Sequence, residues 1–251
     1  MPRFFVTPAA LAGDSVTIEG EDCRHIALAL RMAVGDTVVL SDGCGQECTC
    51  RLTLITPTRV EAAVLTRATG AGEMPIEVHL YQGNPKGDKM ELIVQKAVEL
   101  GAAAVTPFES SRCVARVRQE RVEKQTARLA RIACEAAGQC GRAALPTVGQ
   151  PLSFSAALEE ACAQNELILF CYENEKQRPL QPVLYEAKAA GVRRVALFVG
   201  SEGGFSPEEA AAACRGGAVS VSLGSRILRC ETGGMYALSC LSFVFEEGER
   251  H

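Results

Sequence analysis

The 251-residue sequence lacks most of the landmarks from which a function is read directly. No Lys-Ser or Lys-Thr pair follows its glycine-rich turns, which excludes a Walker phosphate loop, and no GxGxxG spacing marks a dinucleotide site. There is no GxSxG elbow, and the three histidines, His25, His79 and His251, are scattered, so a Ser-His-Asp hydrolase is not expected. Cys44, Cys48 and Cys50 lie close together, but no second cysteine pair follows at metal-knuckle spacing, and a zinc site is not expected. The longest late apolar run, residues 235–245, is too short for a membrane span of ~20 residues. The start, "MPRFFVTPAALAG", makes a poor signal peptide, with one early Arg and a Pro inside the apolar run. A reducing cytoplasm is therefore the expected compartment. Net charge is -4, so any nucleic acid must be met by local basic patches.

What is present describes a globular protein, 47% hydrophobic and 22% charged. Most of its 12 cysteines sit in segments such as "LILFCY" and "ALSCLSF", where a free thiol acts as a small apolar residue. The first ~70 residues carry short β-branched runs, "DTVVLSDG", "ECTCRLTLI" and "RVEAAVL", with one short helical segment over residues 21–31. Their alternation predicts a small barrel or sandwich. "TRATGAGEMP" reads as a linker. Beyond it, strands and helices alternate. "KGDKMELIVQKAVELG" has helical apolar spacing at Met90, Ile93, Val94, Ala97 and Val98, with Gly101 as its stop. "LILFCY" and "RRVALFVG" are near-continuous apolar strands, as in a parallel sheet covered on both faces. "ETGGMYALSCLSFVFEE" is the predicted closing helix, its first turns weakened by Gly233 and Gly234. The order implies an α/β domain from residue 73 to 251, preceded by a β-rich domain over residues 1–72.

The stretch "LFVGSEGGFSPEE", residues 197–209, reads as a strand, a glycine-rich turn and a helix start. Ser206, Pro207 and Glu209 compose a capping box with proline in the first helical turn. Gly200, Gly203 and Gly204 would let backbone approach a ligand at the carboxyl end of a strand, where open α/β sheets bind ligands. Glu202 in the turn argues against phosphate and suits a structural carboxylate that accepts from the loop's N–H groups. The next strand ends in a second such loop, "SLGSRILRCET", residues 222–232. Two neighbouring loops of this kind can clamp a planar ligand through main-chain groups. A tight turn with no ligand is the plain alternative.

"FVGSEGGFS" together with "LGSRILRCET" resembles the SPOUT superfamily of RNA methyltransferases, and within it the RsmE-type enzymes, which methylate N3 of a uridine in small-subunit 16S ribosomal RNA. "MPRFFV", "QGNPKGDKMELIVQKAVELG" and "ARIACEAAGQCGR" extend the resemblance over nearly the whole chain. It implies a PUA-like β-barrel for RNA binding, a trefoil-knotted α/β methyltransferase domain with a parallel sheet, S-adenosylmethionine as cofactor, a homodimer, and 16S rRNA in the small ribosomal subunit as partner, with no membrane. The cofactor would lie among Tyr172, Phe198, Val199, Gly200, Glu202, Gly203, Gly204, Leu223, Gly224, Ile227, Leu228 and Thr232. The sequence departs from the family pattern at Ser201, Asn84 and Cys230, where proline, an apolar residue and threonine are usual, and at the Gly233-Gly234 pair.

Methylation at N3 requires loss of a proton and spreads charge onto the flanking carbonyl oxygens. Arg229 is the candidate for stabilising that charge, and Glu231 for accepting the proton or orienting Arg229. A mutual ion pair, or capping of the last helix, is the structural alternative. For RNA, residues 112–142 carry eight basic residues (Arg112, Arg116, Arg118, Arg121, Lys124, Arg128, Arg131, Arg142) against three acidic ones. They read as a phosphate-contacting patch or as a solvated helix with internal ion pairs. Arg3, Arg24, His25, Arg31, Lys86 and Lys89 are further RNA candidates by motif position. Competing functions are a catalytically inactive RNA-binding protein of the same fold, a methyltransferase acting on another RNA, and a nucleotide-dependent enzyme on a doubly wound sheet.

Overall fold

The computed structural model describes residues 1–70, 72–116 and 119–246. The chain divides into two compact units, one of Met1–Glu73 with Cys134–Leu145, the other of Met74–Ala133 with Pro146–His251.

The first unit is built on five strands: β1 (Arg3–Phe5), β2 (Ser15–Ile18), β3 (Thr37–Ser41), β4 (Gln46–Ile55) and β5 (Val60–Thr69). They pair in the order β1-β3-β4-β5-β2, antiparallel except for β1 with β3, and curl into a half-barrel. Register shifts at Thr49/Cys50 and Leu52/Leu54 add the twist that curling needs. The inward positions, Val16, Ile18, Val38, Leu40, Cys48, Cys50, Leu52 and Val60, form one core with Ile26. A short helix α1 (Glu21–Arg24) and a following single π-turn (His25–Ala29) occupy the predicted helical segment. The inclusion of residues 134–145 departs from a boundary drawn once through the linker. Ser41 donates its hydroxyl to the Ala143 carbonyl at 2.6 Å, and Leu145 N–H donates to Gly43 O at 2.9 Å. Such long-range backbone pairing leaves no trace in local periodicity.

The second unit holds β6 (Glu77–Gly83), α2 (Lys89–Glu99), β7 (Ala104–Glu109), most of α3 (Val122–Cys140), β8 (Thr147–Val148), β9 (Leu152–Ser153), α4 (Phe154–Gln164), β10 (Leu167–Cys171), α5 (Leu180–Ala189), β11 (Arg194–Val199), α6 (Pro207–Arg215), β12 (Val219–Val221) and α7 (Cys230–Glu246). Its sheet runs β12-β10-β11-β6-β7-β8, with β9 also on β7, and every pairing is parallel. Strands buried on both faces explain the unbroken apolar runs. One face packs an aromatic cluster in which Tyr81 stacks on Phe198 at 4.7 Å and Phe170 on Phe205 at 4.2 Å. The other face is covered by α7, which packs on α2 and α5. Met90, Ile93, Val94, Ala97 and Val98 are the buried face of α2, as their spacing predicts. Gly101, at φ +90°, ends that helix region.

The strand order matters for function. β12, β10, β11 and β6 are consecutive neighbours and parallel, so the loops leaving their carboxyl ends gather at one edge of the sheet.

Candidate active site

Four loops build one cavity of about 430 Å³ in the second unit, within the range of small-molecule pockets. β10 leads into Cys171, Tyr172 and Glu173; β11 into residues 199–204; β12 into residues 222–230; and Lys89 stands at the start of α2. The glycines are there for close approach. A Cβ on Gly83 would lie 2.5 Å from the Ser201 nitrogen, and one on Gly200 would lie 3.0 Å from the Gly204 Cα. Gly204 also has φ +62°, and its missing Cβ leaves room for the Glu173 carboxylate. The predicted capping box closes the loop: Glu209 N–H donates to Ser206 Oγ at 3.2 Å, and Ser206 N–H donates to Glu209 Oε2 at 2.9 Å.

Gln82, at the end of β6, was not a sequence candidate. Its side-chain amide donates to the carbonyls of Gly83 and Gly200, both at 3.1 Å, and more weakly to Val199 O at 3.4 Å. It thus ties two strand ends together beneath the cavity. A polar residue beside glycine at the carboxyl end of β6 is the signal that would have found it.

Of the twelve predicted cofactor residues, Tyr172, Val199, Gly200, Glu202, Gly203, Gly204, Leu223, Gly224, Ile227 and Leu228 line the cavity. Phe198 and Thr232 do not. Strand alternation sends the Phe198 side chain into the aromatic cluster on the opposite face, and Thr232 points to solvent on α7. Cys171, Glu173, Lys176, Ser201, Ser222, Arg226, Cys230 and Gly233 line it without having been predicted. Several of these belong to the loop after β10, which the carboxyl-end rule for parallel sheets points to. Gly233 does not simply weaken α7. A Cβ there would project to 3.5 Å from Val199 and 3.8 Å from Leu223, both cavity residues, and so would fill part of the cradle.

Of the two predicted reaction residues only Arg229 lines this cavity; Glu231 touches two lining residues, Lys89 and Cys230. Arg229 is exposed, and its guanidinium has no ion pair among the described residues. The expected alternative, an Arg229–Glu231 pair, is not formed. Glu231 instead faces Lys89, Nζ to Oε2 at 3.5 Å, and accepts from the Cys230 thiol at 3.2 Å. Burial pushes the Glu231 carboxyl up, but its own N–H, the thiol and Lys89 outweigh that and hold it below the usual carboxylate value. Burial, with help from the Glu231 hydrogen bond, pushes the Cys230 thiol up to about 12, so it stays a protonated donor. Cys230 therefore supplies the donor that a threonine hydroxyl would. Glu202 accepts from Lys86 N–H at 3.2 Å and from Lys89 Nζ at 2.8 Å. Asn84 donates to Ala115 O at 3.0 Å, a use for its polarity.

The RNA candidates separate sharply. Arg142 is 4% exposed and donates to Glu73 at 2.7 and 3.1 Å, an ion pair within the first unit. Arg3 is likewise half-sequestered by Glu47 at 2.5 Å. Arg112 braces the glycine loop, donating to Gly203 O at 3.3 Å, and Arg128 pairs with Glu91 at 2.8 Å. Lys89 is engaged by two carboxylates. Arg24, His25, Arg31, Lys86, Arg116, Arg121 and Lys124 are exposed, Arg131 is exposed but engaged in an interaction of its own, and Arg118 lies outside the described residues.

The profile described as an RNA methyltransferase domain matches residues 72–242, and that described as an RNA methyltransferase PUA domain matches residues 18–65. The chain belongs to the RNA methyltransferase family. It is 33% identical to the ribosomal RNA small subunit methyltransferase E of Bacillus subtilis, over 92% of this chain and 90% of that protein. Among solved structures it is similar to the ribosomal RNA small subunit methyltransferase E of Neisseria gonorrhoeae bound to S-adenosyl methionine, with TM-score 0.82 and 30% identity over 98% of each chain. A putative methyltransferase of Legionella pneumophila with bound SAM gives TM-score 0.83 and 30% identity over 96% of each chain. For a methyltransferase of this family, the cavity's position and its glycine cradle fit a cofactor that is held through main-chain groups.

Proposed function

We propose that the protein transfers a methyl group from S-adenosylmethionine to N3 of a uridine in the 16S ribosomal RNA of the small subunit. The observation that carries the reading is the meeting of the glycine loop (residues 199–204) and the loop over residues 222–230 in one cavity, with Arg229 in its lining and Glu231 against Lys89, another lining residue. When bound, the cofactor supplies a methyl group on a positively charged sulfur, already activated for in-line displacement. The protein's part is positioning. Free main-chain groups of the two loops hold the ligand, while Val199, Leu223, Ile227 and Leu228 supply apolar contact. Glu202 and Glu231 keep negative charge beside a cationic ligand. In this proposal Arg229, which has no ion pair among the described residues, meets the carbonyl oxygens on which the uracil charge develops. Glu231, held ionised, takes the N3 proton.

In the same proposal the unit built on residues 1–72 binds RNA, and the exposed cations Arg24, Arg31, Arg121 and Arg131 contribute phosphate contacts. The trefoil knot implied by the family resemblance belongs to it too, as does a cytoplasmic site of action. No helix among the described residues is long and apolar enough to cross a membrane. A homodimer is supported by exposed Tyr236 and Phe243, two helical turns apart on α7.

The test is calorimetric titration with S-adenosylmethionine, with ATP and NAD as controls, followed by methylation of small-subunit particles and free rRNA. Selective binding of the methyl donor and one new N3-methyluridine are expected. Binding of ATP or NAD instead would overturn the reading, and cofactor binding without transfer to any RNA would leave a non-catalytic binder.

A further inference from the structure

Lys89 opens α2 between two carboxylates that reach it from distant parts of the chain. Its Nζ lies 2.8 Å from Glu202 on the glycine loop and 3.5 Å from Glu231 on α7. The Glu202 carboxylate is fixed from a second side by the Lys86 N–H at 3.2 Å. Two carboxylates held close to one another repel, and each then resists ionisation; an ammonium set between them removes most of that repulsion. A phosphate contact needs a cation that is free to leave its partners, whereas Lys89 already has two. The groups that face Glu231 are thus Lys89 from α2, the Cys230 thiol beside it, and Glu202 through Lys89, while Arg229 shares the cavity.

We propose that Lys89 is a positioning residue for the methyl transfer: it aims Glu231, and through Glu202 it couples that carboxylate to the conformation of the glycine loop. What Glu231 does rests on the methyl-transfer reading; the coupling itself does not. The hydrogen bond that Lys89 donates to Glu202 is the chief reason that Lys89 is held above the ordinary lysine value, and Lys89 is one of the groups holding Glu231 down.

Carboxyl carbon NMR on the full chain tests the coupling without cofactor or RNA, with the Glu231 signal assigned from Glu231→Gln. In Lys89→Gln the Glu231 titration should move up by about half a unit or more, because Glu202 is left unscreened. In Glu202→Gln it should move down, because the ammonium is left to Glu231 alone. Lys89→Arg should stay close to the parent. In a methylation assay Lys89→Gln should lose roughly tenfold or more in kcat, with KM for RNA changed less than about threefold. A Glu231 titration that moves in neither variant, or in the same direction in both, overturns the proposal. A Lys89→Gln defect confined to KM for RNA, with a flatter salt dependence, overturns it too and makes Lys89 a phosphate contact. A chain that failed to bind S-adenosylmethionine would end the methyl-transfer reading while leaving the NMR outcome to stand or fall by itself.

Discussion

Gly83 lies against Ser201 so closely that a Cβ on the glycine would sit 2.5 Å from the serine nitrogen. Neither partner can yield easily, since the contact is with backbone and both residues close parallel strands that are paired up to Gln82 and Val199. Gly83→Ala is therefore expected to displace the glycine loop. Affinity for S-adenosylmethionine should fall at least tenfold in calorimetry, with a loss of about 1–3 kcal/mol in unfolding free energy from the forced backbone shift. Gly87→Ala, in the same connection but with nothing within 4 Å of the added methyl, should leave the affinity near that of the parent despite its φ of +65°.

Gln82→Met tests the support beneath the cavity. The side chain is fully buried, and its amide serves three carbonyls. Methionine keeps the length and removes the donors. Stranding buried carbonyls costs about 1–3 kcal/mol, read as a lower midpoint in urea unfolding with unchanged m. Cofactor affinity should fall with it, because Gly200 O is one of the released groups.

The contrast between Gln82 and the glycine loop shows what local sequence can carry. Gly200, Gly203, Gly204 and the Ser206–Glu209 box are legible because turn chemistry and capping are written within a few residues. So are the buried strands, whose period is unmistakable. Phe198 was misplaced because a strand buried on both faces has no polar alternation to say which side chain faces the ligand. The carboxylate partners of Lys89 and Arg142 were hidden for a different reason. A cation's partner sets its role, and Glu202, Glu231 and Glu73 lie 113, 142 and 69 residues away along the chain. Sequence shows the charge and hides the partner.

His79 gives the second unit a pH dependence. Burial lowers its pKa to about 4, and the ring nitrogen shares a hydrogen bond with Thr106 at 2.8 Å. The unfolded chain binds a proton at the ordinary value of about 6.5, while the folded chain refuses it until about pH 4. More protons on the unfolded state mean that stability falls as pH drops through that window, with no further loss from this group below it. The expected loss between pH 6.5 and 4 is about 1–3 kcal/mol. Thermal unfolding curves of the parent and of His79→Gln should run parallel above pH 6.5, and the parent should lose stability relative to the variant between pH 6.5 and 4; parallel curves across the whole range would show that His79 is not the cause.

The basic segment divides into cations that hold the protein and cations available to RNA. Arg142→Met removes the partner of Glu73, which also accepts from Ala144 N–H at 3.0 Å. Glu73 keeps partial access to water, so the cost is about 2 kcal/mol, below that of breaking a fully buried pair. The salt dependence of RNA binding should be unchanged. Arg121 and Lys124 are exposed at the start of α3 with no ion pair among the described residues. Reversing both, with Arg121→Glu and Lys124→Glu, should leave the unfolding midpoint within a degree or so and weaken RNA binding. If each contacts a phosphate, the slope of log affinity against log salt should drop by about 1.4 for single-stranded RNA. An unchanged slope in the double variant would assign these cations to solvent, and a changed slope in Arg142→Met would mean that its pair with Glu73 opens when RNA binds.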